Sequence, residues 1–165
     1  MIILRPTEAQ IAQAKEEGRK MGVLPNSNTC GRGNAIGMLA EITTAEWLNA
    51  ERVRPPVYTH DLVLNGKTID VKCKRCSSAP QPNYSASVFA KHGKHGIAAD
   101  ILLFTRVLDD MSELYVVGWL TTRQFARRAS FVKAGTREDG FLHRADGFHV
   151  PISRLLGPLS LAAGS

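Results

Sequence analysis

Along the N-terminal third of the chain, apolar residues return at helical spacing. In the segment 7–21, Ile11 and Ala14 fall on one face and charge occupies the other. Thr7 followed three residues later by Gln10 is a capping-box pattern that places the helix start. After a stretch rich in Gly, Asn, Ser and Pro, the periodicity resumes over 34–50. Ile36, Leu39, Ala40, Thr43 and Trp47 form a stripe that predicts a core-facing second helix. Gly37, Glu41, Thr44 and Leu48 form the neighbouring stripe.

The period then shortens to that of a strand. Segments 57–64 and 67–74 read as two strands joined by Asn65-Gly66, the strongest short hairpin signal. A two-residue turn sets Leu64 opposite Lys67, Leu62 opposite Ile69 and Asp61 opposite Asp70. Side chains alternate across a strand. One face therefore carries Tyr58, His60, Leu62 and Leu64 against Ile69, Val71 and Cys73, and looks like core. The other carries Thr59, Asp61 and Val63 against Thr68, Asp70, Lys72 and Lys74, gathering two carboxylates and two ammonium groups. Further on, 84–89 alternates as a short strand, while Ile101–Leu108 and 114–120 are apolar runs suited to buried strands. Thr121 with Gln124 opens a helix through about Ala129. Beyond Ser130 the pattern fixes no element. Without a repeat or linker, residues 1–165 form a single α/β domain.

Composition narrows the class. The 165 residues are 44% hydrophobic, enough for a packed core. No apolar run approaches the roughly 18–20 residues that a membrane-spanning helix needs. The N-terminus lacks a basic segment followed by an apolar one, so the expected location is cytoplasmic. A formal net charge of +6 favours a polyanionic partner through phosphate contacts and counterion release. Three cysteines, Cys30, Cys73 and Cys76, argue against a disulfide framework. Cys73 and Cys76 have CxxC spacing, but no second ligand pair follows to complete a structural zinc site.

The hairpin's polar face carries the chemistry. Directly opposed residues have Cβ atoms about 4.5–5.5 Å apart, and like charges there repel. Lys72 offsets part of the repulsion between Asp61 and Asp70; a divalent cation would offset more. Mg²⁺ typically takes one or two carboxylates and keeps positions for water and phosphate oxygens.

The run from Asp61 to Lys72 resembles the core of the PD-(D/E)XK nuclease superfamily, in which an acid near one strand is followed by acid-x-Lys on the next. Here the second element is Asp70-Val71-Lys72. The preceding Gly37-Met38-Leu39-Ala40-Glu41 resembles the family's helix with its glutamate. Two departures stand out: His60 precedes Asp61 where Pro is common, and the second acid is Asp rather than the commoner Glu. The resemblance implies a restriction-endonuclease-like core, a central mixed β-sheet flanked by helices, with the active site on a hairpin. It implies Glu41, Asp61, Asp70 and Lys72 as catalytic residues, and Asp61, Asp70, the Val71 carbonyl and Glu41 as metal ligands. Mg²⁺ is the expected cofactor, with Mn²⁺ able to substitute, and DNA the expected substrate. Gly37 would let the helix approach the sheet closely and aim Glu41 at the metal. The small size resembles phage-type or junction-resolving DNA-processing members.

Lys74, Arg75, Lys91, Lys94, Arg123 and Arg127 are candidate DNA contacts, set against the plainer reading of solvated charge. A homodimer would suit cleavage of both strands of a duplex. The leading expectation is a Mg-dependent deoxyribonuclease, an endonuclease. The alternatives are a non-catalytic nucleic-acid-binding protein of the same fold, and a zinc or redox protein using Cys73 and Cys76.

Overall fold

The computed structural model describes residues 1–21, 33–54, 57, 59–90, 97–138 and 141–163. Strand β1 (Ile2–Leu4) precedes helix α1 (Glu8–Lys20). The capping box forms: the Gln10 amide donates to Thr7 Oγ1 at 3.2 Å, and the Thr7 amide donates to Gln10 Oε1 at 2.8 Å. Arg19 and Lys20 sit in the last turn, where cations complement the helix dipole. Helix α2 (Asn34–Leu48) is buried on most sides, well beyond the predicted stripe: Met38, Ile42, Thr44, Ala45 and Leu48 are buried alongside Ile36, Leu39, Ala40 and Thr43. It stops before position 50 because Asn49 turns left-handed at φ 51°.

Strand β2 (Glu51–Arg52) leads to the hairpin of β3 (Leu62–Leu64) and β4 (Lys67–Cys76). Asn65 and Gly66 both have positive φ, 50° and 74°, as a two-residue hairpin turn requires. The pairing is Leu64 with Lys67 and Leu62 with Ile69, the expected register. Strand β3 is much shorter than predicted, however, and begins only after a bend at Asp61. Strand β4 in turn runs on to Cys76. Next come β5 (Ser85–Phe89), β6 (Ile101–Leu108), β7 (Leu114–Thr121) and α3 (Thr122–Arg128), all near their predicted positions. The unassigned C-terminal region supplies β8 (Ser130–Val132), β9 (Arg137–Glu138), β10 (Phe141–Leu142), β11 (Gly147–Pro151) and a short α4 (Pro158–Ala162).

The main sheet has the order β1-β7-β6-β4-β3-β2. It is mixed: β4 and β6 run parallel and the other neighbours antiparallel. One face packs on α1, α2 and α4, around Leu39, Leu62, Ile69, Leu103, Val116 and Leu161. The opposite face packs on α3 and a second sheet, β5-β11-β8, around Leu102, Phe104, Leu120, Phe125 and Val150. The fold is thus mixed α/β, with a central mixed sheet flanked by helices. No helix among the described residues is long and apolar enough to cross a membrane.

Packing of α1 on α2 overturns the expectation for Gly37. A Cβ at Gly37 would meet nothing within 4 Å. The close approach is at Gly18, where a Cβ would lie 2.6 Å from the Ala35 backbone nitrogen.

Candidate active site

Strand alternation puts Asp70, Lys72 and Lys74 on the face of β4 turned away from α2, in register with Leu102, Phe104 and Arg106 of β6. Beyond Ile69, β4 outruns its partner β3, so among the described residues this stretch has a strand neighbour on the β6 side only. Asp61 stands at the corner where the two strands part. The predicted ladder position opposite Asp70 is not formed, because the Asp61 amide donates to the Ile69 carbonyl at 2.9 Å. Its side chain makes the connection instead: Oδ2 accepts from the Val71 amide at 2.7 Å, and its carboxyl is near enough to that of Asp70 for the two charges to repel. Lys72 Nζ lies 2.7 Å from Asp70 Oδ2. An acid pair and a lysine are therefore gathered at one corner of the sheet.

The electrostatics follow from that crowding. Burial, followed by the charge of Asp70, raises the Asp61 carboxyl to about 6; the Val71 amide and Lys72 act in the opposite direction. Glu41, on α2, is raised further, to about 8, by burial and then by Asp61, with Arg52 opposing. Arg52 lies 3.7 Å from Glu41 and forks onto Glu17, which it holds down at about 2. Glu41 thus feels Asp61 and Asp70, yet the described residues contain no cluster of three His, Cys, Asp or Glu side chains close enough to cage an ion. The donor set that fits a divalent cation is the Asp61–Asp70 pair, two close carboxyls whose mutual repulsion a cation would relieve.

The basic candidates divide. Lys74 points into a partly open cavity of about 150 Å³ between the main sheet and β5, lined also by Lys72, Ser85, Ser87, Phe104 and Arg106. Burial and the nearby Arg106 lower the Lys74 ammonium to about 8. Arg75, on the other side of the strand, pairs with Asp109 at 2.9 Å on the surface. Arg123 and Arg127 are exposed on α3. Lys91 and Lys94 lie outside the described residues, as do Tyr58 and Cys30. Asp100 is structural: its Oδ2 accepts from the Thr68 amide and hydroxyl, at 3.0 and 3.1 Å, tying the start of β6 to β4.

The CxxC pair is split across the sheet. Cys73 packs against the helical side, its thiol pushed up to about 12 by burial, whereas Cys76 packs against the other core. Three residues along a strand reverse the side-chain direction, so the two sulfurs do not face one ion or each other.

Arg52 and Arg106 escaped the sequence reading. Arg106 carried a signal, the only charge in the largely apolar run Ile101–Leu108. Arg52 carried none, because its partners Glu17 and Glu41 lie on two different helices.

No protein-family model matches the chain, and no curated protein matches it.

Proposed function

We propose that the chain is a metal-dependent nuclease that hydrolyses DNA phosphodiester bonds, an endonuclease with a restriction-endonuclease-like core of the PD-(D/E)XK type. The reading rests on one observation above all: Asp61, Asp70 and Lys72 converge where β3 and β4 part, with Asp61 fixed by the Val71 amide. Hydrolysis adds negative charge to a centre that is already anionic. A Mg²⁺ or Mn²⁺ ion held by Asp61, Asp70 and the Val71 carbonyl would polarise a phosphoryl oxygen and acidify a bound water, with Glu41 on α2 acting on it through charge rather than as a ligand.

The chain's own residues supply the rest. The Val71 amide holds the Asp61 carboxylate in place and favours its charged form. Lys72, a compact charge on a flexible stem, sits against Asp70 and can turn to the charge that develops on the phosphate oxygens. The net positive charge draws the DNA backbone toward the site. A homodimer would serve cleavage of both strands.

The test is a panel of labelled linear, circular, single-stranded and branched DNAs incubated with Mg²⁺ or Mn²⁺. Wild type should cut at least one form, and closed circular substrate distinguishes an endonuclease. Asp70→Asn should remove cutting while leaving the melting temperature and DNA affinity in place. Lys72→Ala should slow cutting by about 10²–10³. If folded Asp70→Asn cuts at the wild-type rate, the active site is elsewhere. If wild type binds DNA but cuts no form with either metal, the chain is a nucleic-acid-binding protein.

A further inference from the structure

Lys74 and Arg106 occupy register-paired positions on the parallel strands β4 and β6, so their side chains stand next to each other on one face. Like charges in that relation repel, and both are partly withdrawn from water beneath β5. Neither has a carboxylate within ion-pair distance among the described residues; the ion pairs there involve Arg5, Lys20, Arg52, Lys72 and Arg75. Both donate to the same acceptor, the Ser85 carbonyl, Lys74 Nζ at 3.2 Å and Arg106 Nη2 at 3.0 Å. The guanidinium also lies over the Tyr84 ring, 5.3 Å from its centre.

One shared carbonyl leaves most of this donor set unused. An ammonium has three N–H donors and a guanidinium five. Buried charge is ordinarily paired, and among the described residues the cavity lining here carries no carboxylate: besides Lys72 it holds Cys73, Thr105, the serines of β5 and an apolar floor that includes Phe104 and Val117. In so weakly polar a setting, an incoming anion is attracted more strongly than it would be in water.

We propose that the cavity between β4, β6 and β5 is a phosphate-binding pocket, in which Lys74 and Arg106 hold a phosphate group of the nucleic acid beside the site of cleavage. The assignment of that phosphate to nucleic acid rests on the nuclease reading. Lys72 links the two places: it lines the cavity and pairs with Asp70. A phosphate seated against Lys74 and Arg106 therefore lies on the same face of β4 as Asp70, four residues or roughly 13 Å along the strand, and fixes which bond along the nucleic acid is presented to the Asp61–Asp70 pair. Two sources share this chemistry, a terminal phosphomonoester at a strand end and an internal phosphodiester on the same strand as the one cut.

Full-length protein is titrated without divalent metal, so that no cutting intervenes. The probes are orthophosphate by calorimetry, and 5′-phosphorylated and 5′-hydroxyl oligonucleotides of one sequence by fluorescence anisotropy. Wild type, Lys74→Met and Arg106→Gln are compared. Lys74→Met keeps the length of the side chain and removes a charge that is repelled where it stands, so it should fold; Arg106→Gln is the second arm. Wild type should bind orthophosphate, and each variant should weaken that binding at least tenfold. A terminal phosphate is assigned if the 5′-phosphorylated strand binds at least tenfold tighter than the 5′-hydroxyl strand and the difference vanishes in Lys74→Met. An internal phosphate is assigned if both strands bind alike and both lose tenfold in Lys74→Met. The proposal is overturned if wild type binds no orthophosphate, or if folded Lys74→Met binds all three probes as wild type does. The two readings fail separately. Asp70-dependent cutting with unchanged binding by Lys74→Met sinks the pocket alone. A wild type that cuts nothing but holds phosphate through Lys74 sinks the nuclease alone.

Discussion

The Asp61 carboxylate accepts the Val71 amide at 2.7 Å, so a side chain from just before β3 takes up a backbone donor that the shortened strand leaves open. The bend at Asp61 and the edge of β4 that β3 leaves uncovered are thus one feature. It brings Asp61 to Asp70 without ladder pairing between them, and it sets two acids and Lys72 at a strand junction rather than along a flat sheet.

That relationship separates two substitutions. Asp61→Asn keeps an acceptor for the Val71 amide and removes repulsion with Asp70, so its stability should equal or exceed wild type. Asp61→Ala leaves the amide without its partner and should cost about 1 kcal/mol. Both should lose cleavage. Urea denaturation of the two variants decides the first point, and equal stabilities would show that the Asp61–Val71 bond contributes nothing.

The hairpin was legible because Asn65-Gly66 dictates both turn type and register. The pattern could not show where β3 starts. Residues before Leu62 alternate well enough for a strand, but the chain bends at Asp61, whose amide donates to the Ile69 carbonyl. The same limit applies to Glu41: helical spacing placed it one turn from Gly37, while its neighbour Arg52 comes from a two-residue strand with no periodicity to read. The β5-β11-β8 sheet, which closes the cavity over Lys74, is built partly from a C-terminal region with little alternation.

The two helical glycines should respond oppositely to alanine. At Gly18 the new Cβ would meet the Ala35 nitrogen at 2.6 Å and its Cα at 2.9 Å. Backbone must move, so Gly18→Ala should destabilise by about 1–3 kcal/mol. At Gly37 the Cβ meets nothing, and Gly37→Ala should stabilise by roughly 0.5–1 kcal/mol through helix propensity. Cleavage by Gly37→Ala should match wild type. A drop in activity without loss of stability would restore a role for Gly37 in aiming Glu41.

Because Cys73 and Cys76 point to opposite cores, purified protein should carry no stoichiometric zinc, and chelation should leave its melting temperature unchanged. Cys76→Ser should cost little, since Cys76 is only partly buried at the margin of its core and a serine hydroxyl can keep the contact its thiol makes with the Val107 carbonyl at 3.5 Å. Elemental analysis showing one zinc per chain, lost together with the fold in Cys76→Ser, would reinstate the cysteine site.

Four groups with shifted protonation make stability depend on pH, and they do not all act in the same direction. Glu41 is raised from 4.5 to about 8. The native state therefore keeps a proton that the unfolded chain has released, and stability falls as pH rises through that interval. Asp61, raised to about 6, acts likewise but is spent above that value. His149 is lowered to about 4, chiefly by burial, so its contribution is lost only as pH falls below 6.5. Lys74 is lowered from 10.5 to about 8, so stability gained through it appears only above that value. Between pH 6.5 and 8 Glu41 is left as the main contributor. Metal-free wild type should lose on the order of 1–2 kcal/mol across this window, which is several degrees in melting temperature. Glu41→Gln should flatten the profile. Saturating Mg²⁺ favours the ionised carboxylates, so it should stabilise more at pH 8 than at pH 6.5. Scanning calorimetry at the two pH values, with and without Mg²⁺, checks all three expectations. A wild-type profile that is flat, or that Glu41→Gln leaves unaltered, removes Glu41 from the electrostatics of the site; a Mg²⁺ effect that does not grow with pH removes the metal from it.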